Sequence, residues 1–449
     1  MALLRVGAVG PQAMVLLAAL LWLLPVRVLS AYLDRPWIPV FLDEYPLAVC
    51  NDGSPAAYYY RPGMQGSRRW LVYLDGAGWC WNAESCSHAW QRTHGTSIHL
   101  PRTKEELMPR AMRFLQWGLF DTTRSPVADA HVAFVKSCSN DAFMGDRPPL
   151  INFDPISYPF SQRGVAGWHF RGRRIVESVF LDLRKRTGLG ERLGDRVVYG
   201  GCSAGARGAL ATMDFISTNT QFVGKAGVLG LLDSGMWVPM PPRQKSQAAG
   251  WDSFEDQMKA SLTLVNSSAI LGDTCGQRYP GNEAWKCLMG AFRLPFVRTP
   301  YFMVHSQYDL FAVSMNLWGH YWIAHKFTKS DLTWADAYRR MIVNYLPEPS
   351  MGSGKVIFSP ACYFHCILTV PRFWVTSANN SGLAATLRLW LNQPQNTAGR
   401  IYDTCKGFNC GFHEQYMPKT QIRKHRRLSE ATQTNGGPGE LAKPTVSIH

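Results

Sequence analysis

Gly201-Cys202-Ser203-Ala204-Gly205 is a G-x-S-x-G pentapeptide between an apolar run, Arg196-Val197-Val198-Tyr199, and a segment of helical spacing from Ala206 to Ile216. A serine held on such a strand-to-helix turn projects its hydroxyl from the edge of a sheet, and small flanking residues let the turn approach its neighbours. A capping serine in a Gly-rich turn is the plainer reading, and the partners downstream decide against it. A serine is a poor nucleophile without an imidazole to take its proton and a carboxylate to orient that imidazole.

His365 follows the apolar run Val356-Ile357-Phe358 in a loop suited to a general base, whereas His305 precedes any late acid, and His320 and His325 fall in a Trp-rich stretch. Two aspartates end strands, Asp309 after Tyr301 to Val304 and Asp233 in Leu232-Asp233-Ser234-Gly235. Both fit the chain order serine, acid, histidine, and Asp309 is preferred as the acid because it is nearer in sequence to His365. Asp233 then becomes a pocket or supporting residue. A tetrahedral intermediate needs N–H donors, and Asp75-Gly76-Ala77-Gly78-Trp79 follows the first core strand. The amides of Ala77, Gly78 and Ala204 are the expected donors, with Trp79, Trp81 and Tyr73 lining a pocket.

These residues need a rigid frame. The apolar runs at 70–74, 132–135, 196–199, 227–232, 301–304 and 356–358 read as buried strands. Segments 171–186, 334–345 and 383–391 space their apolar residues as helices. The alternation predicts an α/β fold whose sheet is mostly parallel, with helices on both faces. Residues 237–285 read as an insertion above the sheet.

The chain has 449 residues, 46% of them hydrophobic and 18% charged, which excludes disorder and coiled coil and allows one large domain. An apolar run at 14–25, too short to span a bilayer, precedes Val28-Leu29-Ser30, so residues 1–30 are expected to be a signal peptide. The esterase domain would run over 31–417 and a disordered basic tail over 418–449. Lys+Arg 47 against Asp+Glu 32 gives +15; removing Arg5 and Arg27 and the tail's +4 leaves +9 on the domain. An extracellular location makes nucleic acid an unsuitable partner and leaves an acidic polymer.

Eleven cysteines in a secreted chain favour disulfides. Cys80/Cys86, Cys275/Cys287, Cys405/Cys410 and Cys50/Cys138 are natural pairs, and Cys202 is the candidate for the odd thiol. Zinc on Cys362, His365 and Cys366 is the weaker alternative, since no Cys-x-x-Cys set accompanies them. Sequons at Asn266 and Asn379 suit secretion.

Seven motifs in order between Cys50 and Cys366 resemble the pectin acetylesterase/Notum family of carboxylesterases. They are Cys50-Asn51-Asp52-Gly53-Ser54-Pro55, Asp75-Gly76-Ala77-Gly78-Trp79-Cys80, Cys138-Ser139 with Phe143-Met144-Gly145-Asp146, Gly200 to Gly205, Asp233-Ser234-Gly235, Tyr308-Asp309, and Ala361 to His365. The resemblance is nearer to the pectin acetylesterase branch. It implies an α/β-hydrolase-like fold, ester hydrolysis without metal or other cofactor, Ser203, Asp309 and His365 at the catalytic positions, and Trp79, Asp233 and Phe143 about the pocket. Ala77, and Ala206 followed by Arg207, stand where the family more often has glycine, so the pocket shape is this chain's own. The function implied is removal of O-acetyl groups from an acidic extracellular or cell-wall polysaccharide by a monomer without a stable membrane anchor. The alternatives are removal of a fatty acyl (palmitoleoyl) group from a secreted protein, and an inactive polysaccharide-binding homologue.

Overall fold

The computed structural model describes residues 35–93, 95–151, 153, 167–243, 252–319 and 326–405. The expected signal peptide, the basic tail, His320, His325 and Cys410 lie outside the described residues.

Nine strands form one sheet: β1 (Ile38–Phe41), β2 (Ala57–Arg61), β3 (Arg69–Leu74), β4 (His131–Val135), β5 (Arg196–Cys202), β6 (Gly227–Asp233), β7 (Tyr301–Val304), β8 (Val356–Ser359) and β9 (Gly399–Tyr402). Their spatial order is β1-β2-β4-β3-β5-β6-β7-β8-β9. Pairing is antiparallel at β1/β2 and β2/β4 and parallel from β4 to β9. The six expected strands are all present. The three unforeseen ones lie towards the two edges, and β9 is only half-buried along its length, so its residues carry little apolar signal.

The longer helices are α1 (Ala83–Thr93), α2 (Lys104–Phe114), α3 (Gly172–Thr187), α4 (Ala204–Thr218), α5 (Phe254–Leu264), α6 (Leu310–Trp318), α7 (Lys329–Tyr345) and α8 (Leu383–Asn392). Successive strand residues point to opposite faces, and the core divides accordingly. Trp70, Val72 and Leu74 join the cluster that contains buried residues of α3, α4, α6 and α7. Leu71 and Tyr73 join the cluster that contains Leu107 of α2, Phe120, and Leu383, Leu387 and Trp390 of α8. The segment between β6 and β7 carries α5 and the Cys275–Cys287 disulfide, in the place expected for an insertion.

Cys50–Cys138, Cys80–Cys86 and Cys275–Cys287 pair as expected, and Cys405 is also disulfide-bonded. Cys202 is not free. It is bonded to Cys366 across 164 residues of sequence, and the free cysteine among the described residues is buried Cys362. Burial pushes the Cys362 thiol up to about 11, and its sulfur lies 3.2 Å from the Ser306 hydroxyl. Nothing local marks this exchange of roles; it follows from β5 and the loop after β8 ending at the same sheet edge.

Candidate functional site

Ser203 lies between β5 and α4 with φ 55° and ψ −119°, a conformation an L-residue holds only when its surroundings over-determine it. Two contacts and two close approaches do so. The Ser203 N–H donates to the Asp233 carbonyl at 2.8 Å, and the Arg207 N–H donates to the Ser203 carbonyl at 3.0 Å. A Cβ on Gly201 would stand 2.7 Å from the Leu74 carbonyl oxygen, and one on Gly205 would overlap that same atom. Only glycine on both sides lets the turn sit this close to β3.

Asp309 caps α6, its Oδ1 accepting the Ala312 N–H at 2.9 Å. Its other oxygen, Oδ2, lies 2.6 Å from His365 Nδ1. The carboxylate is fully buried and the imidazole 15% exposed. One aspartate thus starts a helix and orients a ring, and the cap locks the carboxylate against rotation. His305 is fully buried elsewhere at the end of β7, and burial pushes its pKa down to about 4.

Asp233 has a different place. Its Oδ2 accepts the Leu368 N–H at 2.7 Å and its Oδ1 the Ser234 hydroxyl at 3.0 Å. The Ser234 hydroxyl in turn accepts the Cys366 N–H at 2.9 Å. Its backbone oxygen holds Ser203 and its side chain holds the loop just beyond His365, so Asp233 braces the two partners against each other. Burial raises its pKa to about 6. The Cys202–Cys366 disulfide is a second brace, joining the residue before Ser203 to the residue after His365. Sequence reasoning missed it. The only available signal was the position of both cysteines beside candidate catalytic residues.

One ligand atom from each of Cys202, His365 and Cys366 lies within 4.8 Å of the others. The two sulfurs are bonded to one another and offer no thiolate for a metal, which removes the ground for zinc here.

Ala77 and Gly78 lie in the loop after β3, with Gly78 at φ 86°. Ala204 is the first residue of α4, and its N–H is one of those a helix start leaves without an intrahelical acceptor. The loop is held from behind. The Cys80 N–H donates to the Asn140 carbonyl at 2.8 Å, and Trp79 bridges to Asp141. Asp141 is itself pinned by Ser139, Phe143 and Gly172 donors at 2.7–3.0 Å.

Trp79 is 3% exposed, and its ring meets Trp237 at 5.2 Å, Phe311 at 6.2 Å and Phe254 at 6.3 Å. Phe311 stacks on His365 at 5.4 Å, and Trp237 meets it at 6.2 Å. Trp237, Phe254 and Phe311 complete a wall of which only Trp79 was anticipated. Trp81 is buried and donates its indole N–H to Asp252 at 2.7 Å. Phe143 is placed elsewhere, fully buried against Gly208 of α4 and Gly172. Asp146 of the same motif pairs with Arg171 and Arg174.

On the other face of the sheet edge a cavity of about 650 Å³ is lined by Tyr59, Tyr73, Leu115, Phe120, Phe134, Asp75, Lys136 and the Cys202–Cys366 pair, with Arg110 and Trp117 also contributing. Tyr73, expected to line one pocket with Trp79 and Trp81, lines this cavity instead, which neither tryptophan reaches. Burial disfavours the Lys136 charge, yet the paired Asp75 outweighs that and holds its pKa above the usual lysine value.

A family model described as pectinacetylesterase matches residues 39–407. The palmitoleoyl-protein carboxylesterase notum1 of Xenopus laevis is 24% identical over 380 residues, covering 81% of this chain and 69% of its own. The corresponding Drosophila melanogaster protein is 25% identical over 373 residues, covering 80% and 48%. For the Xenopus laevis notum2 protein the share of its own length is 65%. The solved structure of the Wnt deacylase Notum from Drosophila superposes with a TM-score of 0.69 at 22% identity, covering 86% of this chain and all of that one, which identifies the fold as α/β-hydrolase-like. No helix among the described residues is long and apolar enough to cross a membrane. Because the family match runs from the first strand to just beyond the last, the chain belongs to the pectinacetylesterase family and is a carboxylic ester hydrolase.

Proposed function

We propose that the protein is a secreted serine esterase that removes O-acetyl groups from an acidic extracellular polysaccharide such as pectin. The observation that supports the short acyl group is the wall at the imidazole: Trp79 packs on Trp237 and Phe311, and those two rings meet His365, a closely packed aromatic surface suited to a small acyl group. The +9 left on residues 31–417 after the ends are set aside supports attraction to an acidic polymer.

In this reading Ser203 Oγ attacks the ester carbonyl carbon while His365 Nε2 takes the hydroxyl proton. Asp309, hydrogen-bonded at Nδ1, keeps the ring in the tautomer that can accept at Nε2 and stabilises the imidazolium. The amides of Ala77, Gly78 and Ala204 receive the oxyanion. Collapse expels the sugar alkoxide, which takes the proton from His365. Water, deprotonated by the same imidazole, then frees acetate and Ser203. The deciding experiment measures release of acyl groups from acetylated pectin, acetylated xylan and an acylated peptide by the purified protein; no acetate from either glycan would end the proposal.

A second reading has its own support. The relatives are palmitoleoyl-protein carboxylesterases, and the cavity on the opposite face is largely apolar, so an acyl chain on a secreted protein is the alternative substrate. Preference for octanoyl over acetyl p-nitrophenyl esters would select it.

A further inference from the structure

Arg207 lies one turn beyond Ser203 on α4 and is 1% exposed. Among the described residues no carboxylate pairs with it, and none supplies a hydrogen-bond partner for its Nε or Nη1. Its Nη2 touches the Met258 sulfur at 2.6 Å, and its guanidinium carbon lies 4.3 Å from the centroid of the Trp79 ring. Burial without an anion pushes its pKa down to about 9.

A second buried arginine shows what a purely structural one looks like in this fold. Arg293 donates to the carbonyls of Leu210, Ala211, Ile270, Leu271 and Cys287. Five acceptors there contrast with a thioether and an aromatic face around Arg207. An N–H buried without an acceptor is costly, and what offsets the cost at Arg207 is the ring: attraction between a cation and an aromatic face strengthens when both are out of water.

The Trp79 ring follows Gly78, whose positive φ places it in a turn. The ring meets Trp237 and Phe311, the two rings that touch His365. A flat guanidinium lying over it restricts the rotamers the indole can take. We infer that Arg207 is a positioning residue for the acyl site, clamping Trp79 in the wall beside His365 and so restricting the enzyme to short acyl groups. The inference rests on the short-acyl reading above and adds the residue that enforces it.

The test uses the full chain with Arg207→Leu, Arg207→Lys, Trp79→Ala and the Arg207→Leu/Trp79→Ala double variant. The quantity read is the ratio of kcat/KM for p-nitrophenyl octanoate to that for the acetate. Arg207→Leu is expected to raise this ratio ~10-fold, within the range that pocket-size changes give. The double variant should shift it no further than Trp79→Ala alone. Arg207→Lys keeps the charge without the plane and should shift it by about threefold, and it decides if Arg207→Leu does not fold. A folded variant whose ratio stays within about twofold of wild type, an equal loss on both esters, or fully additive shifts in the double variant would each overturn the clamp. A wild-type protein that prefers octanoate would overturn the short-acyl reading instead. That result is separate, because the clamp is judged by the change in the ratio and not by its starting value.

Discussion

The two sides of the sheet edge at Ser203 are built oppositely. Cys202 belongs to the core cluster of one face and Ala204 to that of the other, so the nucleophile turn divides two chambers. On the α4 side, Trp79, Trp237, Phe254 and Phe311 meet ring against ring. On the other, comparable aromatic residues, Tyr59, Tyr73, Phe120 and Phe134, line an open cavity of about 650 Å³. Tyr73 there has a buried hydroxyl with no hydrogen-bond partner among the described residues, its pKa raised well above the usual value by burial. Tyr73, Phe120 and Phe134 also meet one another, at 5.5–6.4 Å, so neither aromatic content nor ring contact makes a pocket; the space left beside the rings decides what can bind.

If both chambers serve one nucleophile, Ser203→Ala should lower kcat about 10⁶-fold on p-nitrophenyl acetate and on the polymer alike. Loss on one substrate only would separate the two faces functionally. Asp309→Asn should cost about 10⁴-fold by stabilising the wrong imidazole tautomer, while thermal stability changes little because asparagine caps helices as well as aspartate. Asp233→Asn should cost far less, about tenfold, through looser bracing. The reverse order would make Asp233 the acid.

Replacing Cys202 and Cys366 together by Ala removes the brace between the chambers. Activity should fall about 10²-fold from misplacement of the imidazole, with about 2–5 kcal/mol of stability lost in denaturant unfolding. Unchanged kinetics would reduce the disulfide to a stability element. On the open side, Trp117 is 41% exposed at the cavity. Trp117→Ala should leave p-nitrophenyl acetate hydrolysis within about twofold, as surface changes commonly do, while raising KM for the polymer. An unchanged polymer KM would remove the cavity from substrate binding.

The smallest effect is one of pH. Asp233 titrates near 6 in the fold, above the value of about 4 for an unfolded aspartate. Between those values the folded protein holds a proton that the unfolded chain has released, so this group's contribution to stability is complete below pH ~4 and is lost as pH rises through ~6. Asp233→Asn should flatten that part of the stability profile. Asp141 is displaced to about 6 by burial as well, so the slope should diminish without vanishing.

Much of this was legible beforehand for local reasons. The six central strands are short apolar runs leading into loops rich in Gly, Ser or Asp, and the G-x-S-x-G turn needs only its own glycines and its flanking elements. Asp309 was readable as a strand-end acid, whereas its second role as the cap of α6 was not, because the start of a helix at Leu310 leaves no periodic mark in so apolar a segment. Phe143 was misjudged because a motif was read as a pocket. Its neighbours show a backbone held by Asp141 and a Cβ against Gly208. Arg207 was visible only as a departure from small residues, with no hint that its partner would be an indole.

By itself the sequence determined the α/β frame and the loops that carry Ser203, Asp309 and His365, since each element depends mainly on its own apolar spacing and its flanking turn residues. Tertiary structure alone decided that Cys202 closes on Cys366 across 164 residues, that Asp233 ties the loop after His365 to the Ser203 turn while Asp309 bonds the His365 ring, and that a cavity opens beside Tyr73. Those outcomes depend on which side chains meet at the sheet edge, and that meeting is set by strand order and packing, which no local spacing encodes.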